Sequence, residues 1–392
     1  MRAICWQGIN NLNVGNVADP EILNPHDVIL KVRYSSVCGS DNHTIAGVLP
    51  GYMPGDILGH EFLGEVVEIG REVKRLKLGD RVIVSPFHKC GSCVYCEQDM
   101  GSMCDNSNPK PHVGETFFGY APAGAYGFGH AFGGYAGSHA EYVRVPFADN
   151  NAFVVPDELS DEQALFISEA APTGFMGADF CDIKGGETIA VWGCGGVGLM
   201  AQKSAYLLGA ARVIAIDRVP ERLRMAREII GCETLNLEEV PVLEALKEMT
   251  GGRGPDACIE AVGMESQAPT PDFALDKAKQ ALRLSTDSAH SLREAIFASR
   301  KGGTLSVLGL FGPALDKFPM AAVGNKGLTI KSSQVFAQKY IPRLLEYAVR
   351  GELDPSFMMT HRARLEEAQD AYDMWRGKAD GCLRVVFEPG RR

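Results

Sequence analysis

What the chain lacks narrows the possibilities first. Across 392 residues no apolar run is long enough to span a bilayer. The opening MRAICWQGIN has no basic stretch leading into an apolar one, so no secretory signal is expected. Positive charge is in deficit: 39 Lys and Arg face 49 Asp and Glu, giving a net charge of −10. A phosphate-backbone partner is therefore not expected. No internal repeat is present. An even cysteine count, which a complete disulfide framework requires, is also missing, since there are eleven. A large acidic chain with scattered cysteines and no export signal fits a reducing, cytoplasmic setting, where clustered thiols bind metal.

What is present divides into two textures. The hydrophobic content of 45% is enough for a large core and more than one domain. Residues 1 to about 150 carry short β-like runs such as DVILKVRYSS (27–36), EVVEIG (65–70) and DRVIVSPF (80–87), broken by glycine turns. From about 160 to 335 apolar strands alternate with helices. ETIAVWG (187–193), ARVIAID (211–217), DACIEAVG (256–263) and GTLSVLGLFG (303–312) read as strands. GLMAQKSAYLLG (198–209) and PERLRMAREIIG (220–231) read as helices. Strands buried on both faces and alternating with helices predict a doubly wound parallel α/β sheet. The glycine- and aromatic-rich segment 119–137 reads as a long packed loop, and the tail CLRVVFEP as a strand rejoining the first domain.

Two motifs carry chemistry by their spacing. Cys90, Cys93, Cys96 and Cys104 fit a tetrahedral four-thiolate zinc site, which has no open position for substrate. Iron–sulfur ligation is the alternative for this spacing. Gly193-x-Gly195-Gly196-Val197-Gly198 follows one strand, opens a helix, and precedes a second strand that ends in Asp217. In that setting it is a dinucleotide fingerprint, with pyrophosphate at the helix N-terminus and ribose hydroxyls on Asp217. The Asp217 carboxylate favours NAD over NADP, and Arg218 beside it would soften that preference. Cys38 and His60 are good zinc donors near turns. By residue type alone they read equally well as a structural cysteine and a capped histidine. Likewise, Ser40 as a helix N-cap and His43 as a solvated helical residue are open readings.

The ordered set CGSDNH (38–43), GHEFLGEVVEIG (59–70), GDRV (79–82), the four-cysteine lobe, PTG (172–174) and GCGGVG (193–198) resembles the zinc-dependent medium-chain alcohol dehydrogenases over essentially the whole chain. ISEAAPTG (167–174), AEYVRVPFAD (140–149) and added residues at 265–290 make it most similar to the glutathione-independent formaldehyde dehydrogenase and dismutase branch. The resemblance implies a GroES-like, mostly-β catalytic domain at 1–168, completed by 336–392, with a zinc lobe at about 88–106. It implies an NAD-binding Rossmann domain at 169–335. A zinc site of two cysteines and a histidine is known for this family rather than read from spacing in this chain.

Here the resemblance places the catalytic-zinc ligands at Cys38, His60 and Glu169, the last standing where well-known members have cysteine. Asp41 would orient the histidine. Glu61 would approach the metal during ligand exchange. Ser40 and His43 would relay the substrate proton to the surface. Thr173 would pack behind the nicotinamide, and Val262 and Gly263 would edge the adenosine side. Leu308, Gly309 and Leu310 would offer main-chain groups to the carboxamide, and Arg384 would reach the pyrophosphate. The implied protein is a homodimer or homotetramer with NAD and two zinc ions per subunit, acting on a small alcohol or aldehyde, with no nucleic-acid or membrane partner. Competing readings are a formaldehyde dismutase with tightly held NAD, a polyol dehydrogenase, a zinc-free quinone-reductase-like enzyme, and a non-catalytic zinc scaffold.

Overall fold

The computed structural model describes residues 1–267, 288–312 and 315–391, so most of the 265–290 insertion lies outside the described residues. The chain forms two compact units, Met1–Pro172 with Val335–Arg392, and Thr173–Gln334. The division falls a few residues after the expected 168/169 boundary. At that point Glu61 Oε1 accepts the Ala170 amide at 2.9 Å, which ties Glu169 and Ala170 to the first unit.

The first unit is built on a seven-stranded sheet. In order across it lie Met359–Ala363, Arg384–Phe387, Val28–Ser36, Glu61–Ile69, Arg81–Val84 and Ala152–Val154, and Tyr142–Val145 also pairs with Val28–Ser36. Leu30 and Val32 are buried, while Lys31 and Arg33 between and beyond them are exposed, the two-residue alternation of a strand with one wet face. With Phe62, Val66, Val82, Val84, Val143 and Val145 they form the sheet's core. The aromatic loop closes that core. Tyr126 is fully buried and meets the Phe62 ring edge-on at 5.1 Å. The C-terminal strand Arg384–Phe387 is buried at every position and pairs antiparallel with Val28–Ser36.

The second unit is a six-stranded sheet, parallel throughout, in the order Glu233–Asn236, Arg212–Asp217, Thr188–Trp192, Ala257–Glu260, Thr304–Val307 and Thr329–Ser332. Counted from Thr188–Trp192 this is 3-2-1-4-5-6, the Rossmann order, with its switch point between the first and fourth strands. The four strands expected from apolar runs occupy the middle. Glu233–Asn236 and Thr329–Ser332 were not expected, because edge strands with partly or fully exposed residues show no continuous apolar run.

The glycine-rich turn is sterically fixed. Gly193 has φ +99°, and a Cβ at Gly198 would fall 2.0 Å from the Gly193 carbonyl oxygen. Gly198→Ala should therefore cost about 1–3 kcal/mol, as overpacking does. Urea unfolding checks this, and wild-type stability for the variant would contradict the close approach.

Candidate functional site

Strand register assembles the first cluster. Ser36 pairs with Glu61, so Cys38, two residues beyond one strand, and His60, one residue before the next, arrive side by side. The Glu61–Ala170 hydrogen bond brings Glu169 to the same place. The donor atoms of Cys38, His60 and Glu169 all lie within 4.8 Å of one another, and all three residues are buried. Cys38 Sγ stands 3.4 Å from Glu169 Oε2.

Cys38 is the N-cap of the helix Gly39–Ile45, which removes that role from Ser40. Asp41, three residues on, accepts the Cys38 amide through Oδ2 at 2.8 Å. Its Oδ1 lies 3.3 Å from His60 Nδ1. One buried carboxylate thus starts the helix and faces the imidazole. Burial opposes charge on His60, but Asp41 and Cys38 outweigh it and raise its pKa well above the usual value. Ser40 Oγ is 3.1 Å from His60 Nε2 and 3.5 Å from Cys38 Sγ, within the same donor sphere. Phe128, from the aromatic loop, packs its ring 4.8 Å from that of His60.

Two positions differ from expectation. His43 is buried, 7% exposed, not at the surface: it lies on the opposite side of the helix from Asp41 and Ile45, and the helix is buried on both sides. Arg384, assigned by resemblance to the pyrophosphate, is only 3% exposed. Its Nη1 donates to Val37 O and stands 3.9 Å from Glu61 Oε2. Glu61 is fully buried; burial pushes its pKa up to about 7, with Arg384 opposing.

The cluster fits a dication. A thiolate, a carboxylate and an imidazole are suitable zinc donors, and three protein donors leave one position for substrate. The other cluster is different. Its sulfurs stand 3.4 Å (Cys93–Cys96), 3.8 Å (Cys90–Cys96) and 3.9 Å (Cys93–Cys104) apart, and none is in a disulfide. Four sulfurs around a single zinc at ordinary bond length would be about 3.8 Å apart. That spacing suits one ion better than an iron–sulfur cluster.

Apart from Arg384, the residues expected to bind a dinucleotide lie in the second unit. Gly195 caps the helix Gly196–Leu207, whose first turn includes Val197 and Gly198. Asp217 ends its strand with Oδ2 accepting the Cys194 amide at 2.6 Å and Oδ1 accepting those of Arg218 and Val219. The Arg218 guanidinium is held by Glu238 at 2.9 Å and by Gln267, so it is already committed. Gly263 and Leu310 lie together, the Met264 amide donating to Leu310 O at 2.9 Å, with Val262 and Gly309 alongside. Thr173 is half-buried in the helix Ala170–Phe180.

Sequence reasoning missed three residues. Arg222 reaches towards the glycine-rich turn, with Nη1 3.9 Å from where a Gly195 Cβ would be. A basic residue one turn into the helix after Asp217 was the available signal. Glu260 ends the fourth strand fully buried. His139, fully buried, bonds Ser35 Oγ at 2.7 Å and Tyr372 OH at 2.9 Å, with Nε2 3.9 Å from Asp41 Oδ2. No spacing rule links it to Asp41.

Two outcomes follow for metal content and for pH. Cys93→Ser should lower bound zinc by one equivalent per chain and Cys38→Ala by a different one, read by elemental analysis; loss of both ions from either variant would contradict two separate sites. Burial holds the His139 pKa down to about 4, with Asp41 opposing. The unfolded chain then binds the extra proton first, so stability falls as pH drops from about 6.5 to 4. Against His139→Gln, the wild type should lose up to about 3 kcal/mol more across that window in urea titrations.

Comparison with known proteins agrees with this geometry. Residues 24–157 match the alcohol dehydrogenase GroES-like domain and 196–278 the zinc-binding dehydrogenase domain. The zinc-type alcohol dehydrogenase-like protein AdhB of Bacillus subtilis, itself uncharacterized, is 39% identical over 99% of this chain and 100% of its own. The glutathione-independent formaldehyde dehydrogenase of the same organism is 37% identical, over 68% of this chain and 67% of its own. The solved alcohol dehydrogenase TADH from Thermus sp. ATN1 superposes with a TM-score of 0.82 at 31% identity, covering 99% of both chains. The paired domains, the buried three-donor cluster and these full-length likenesses place the chain in the zinc-type alcohol dehydrogenase family.

Proposed function

We propose that this oxidoreductase is an NAD-dependent, two-zinc dehydrogenase that oxidises a primary alcohol or a hydrated aldehyde, with Cys38, His60 and Glu169 holding the catalytic ion and Cys90, Cys93, Cys96 and Cys104 a structural one. The observation that carries the reading is the convergence of three buried donors from distant parts of the chain within 4.8 Å. Bound zinc would supply Lewis acidity at the substrate oxygen, and bound NAD a hydride acceptor.

The chain's own residues supply the rest. Ser40 Oγ, within the donor sphere, is placed to accept the hydroxyl proton as the substrate is oxidised. His43, three residues on in the same helix, is the onward acceptor, from a buried position. Asp41 faces His60 Nδ1 and so would leave Nε2 as the nitrogen to hold an ion. Phe128 and its neighbours, Phe87 at 6.0 Å and Phe132 at 5.4 Å between ring centres, keep water from that wall. The Asp217 carboxylate would repel a 2′-phosphate, and the occupied Arg218 guanidinium does not offset it. NAD is thereby favoured over NADP.

NAD reduction measured against a panel of alcohols and aldehydes tests the reading. Turnover of primary alcohols or aldehydes with NAD supports it, and turnover of polyols alone or with NADP alone refutes it. Conversion of formaldehyde to acid and alcohol without added NAD would assign the dismutase instead. Glu169→Ala should cut kcat/KM to about a thousandth of wild type or less. Ser40→Ala should lower kcat by about 10²–10⁴ and flatten its pH profile, read by steady-state assay.

A further inference from the structure

The switch point of the second unit's sheet holds a buried carboxylate with an unusual set of partners. Glu260, fully buried at the end of its strand, accepts three hydrogen bonds through Oε1. They come from the Val262 amide at 3.0 Å, the Gly263 amide at 2.9 Å and Ser291 Oγ at 2.7 Å. Its backbone carbonyl accepts the Leu308 and Gly309 amides at 2.8 and 3.1 Å. The other carboxylate oxygen, Oε2, is buried without a hydrogen-bond partner among the described residues. It faces Gly309 so closely that a Cβ there would be 2.2 Å from Oε2 and 2.4 Å from Gly263 N.

Glu260 is thus the point at which two turns meet, 261–263 after the fourth strand and 308–310 after the fifth. The meeting is secured by the Met264 amide bonded to Leu310 O at 2.9 Å. Ser291, the third donor, also bonds Ser266 Oγ through its amide at 3.0 Å, which fixes the chain on either side of the turn. Burying a carboxylate is costly unless donors compensate it, so a neutral residue would hold shape here with less penalty. What the carboxylate adds is orientation: one oxygen collects two successive amides and a hydroxyl, and the other fixes the distance to Gly309. Main-chain groups at such turns, outside the carboxyl ends of the strands at a switch point, are where dinucleotides are held.

We propose that Glu260 is a positioning residue for the dinucleotide, setting the 308–310 turn against the 261–263 turn so that main-chain groups at Gly309 and Leu310 engage the nicotinamide carboxamide. The proposal rests on the NAD reading given above. Glu260 touches no part of the ligand; it acts through the turns. The adenosine end is held chiefly by Asp217 and the glycine-rich turn, neither of which bonds Glu260, so it depends on Glu260 only through the edge that Val262 and Gly263 provide and is affected less than the nicotinamide end.

Binding of NAD and of ADP-ribose to the full-length, zinc-loaded protein separates these contributions. ADP-ribose lacks the nicotinamide and so reports the adenosine and pyrophosphate contacts alone. Glu260→Gln keeps the size but removes the charge and sets an amide against Gly309. It should weaken NAD about tenfold while leaving ADP-ribose within about twofold of wild type. Ser291→Ala removes one of the three donors and should shift NAD in the same direction by less, and it carries the test if Glu260→Gln does not fold. Parallel weakening of both ligands, or no change in either, would overturn the proposal, because a role confined to packing moves both or neither. Failure of wild type to bind either ligand would instead overturn the dinucleotide reading, and the proposal with it.

Discussion

Cys38 and His60 meet because Ser36 pairs with Glu61, and the rest of the candidate active site inherits that register. A slip of one residue would turn every side chain of one strand to the opposite face of the sheet. The same strand carries the C-terminal segment on its other edge, with Val386 opposite Ser36. That pairing delivers Arg384 to Glu61, and Glu61 in turn fixes Glu169 through the Ala170 amide. Three separate stretches of chain are therefore located by two strand pairings and one side-chain hydrogen bond.

The electrostatics explain why so many polar groups surround so small a site. A thiol and a carboxyl group, those of Cys38 and Glu169, share one buried space, and Glu61 is buried beside them. A dication held between the first two would be balanced by them, and Arg384 faces the third. Asp41 balances His60 and is also bonded by the Cys38 amide. Each buried charge has a partner, the condition under which burial of ions is tolerable. The four-cysteine lobe meets the same condition locally, with the Ser92 and Cys90 amides each donating to a sulfur at 3.4 Å.

Legibility in the sequence followed the distance over which each signal acts. The four-cysteine lobe and the glycine-rich turn are local: the sulfur spacing marks a metal site, and the glycines are legible from their place between a strand and a helix. The central parallel strands were legible because both faces are buried. The edge strands Glu233–Asn236 and Thr329–Ser332 were not, since exposure removes the apolar run. Cys38, His60 and Glu169 were joined only through family resemblance, because no local rule spans the 131 positions between Cys38 and Glu169. His43 is buried rather than at the surface because the short helix Gly39–Ile45 is covered on both sides, which residue spacing does not reveal. Glu260 and His139 left no mark at all: their partners come from turns and strands that only the folded chain brings together.

The order in which these parts leave the ribosome differs between the two metal sites. The four-cysteine lobe is complete within Cys90–Cys104 and could hold an ion before the second unit is synthesised. The three-donor cluster has all its candidate ligands by Glu169, yet the strand that places Arg384 against Glu61 is translated only after the whole second unit, Thr173–Gln334. A nascent chain thus carries the candidate ligand set throughout synthesis of the second unit without the guanidinium that faces Glu61. Without the Arg384–Phe387 strand, Glu61 would lose the guanidinium that faces it, while the four-cysteine lobe would keep every one of its sulfurs.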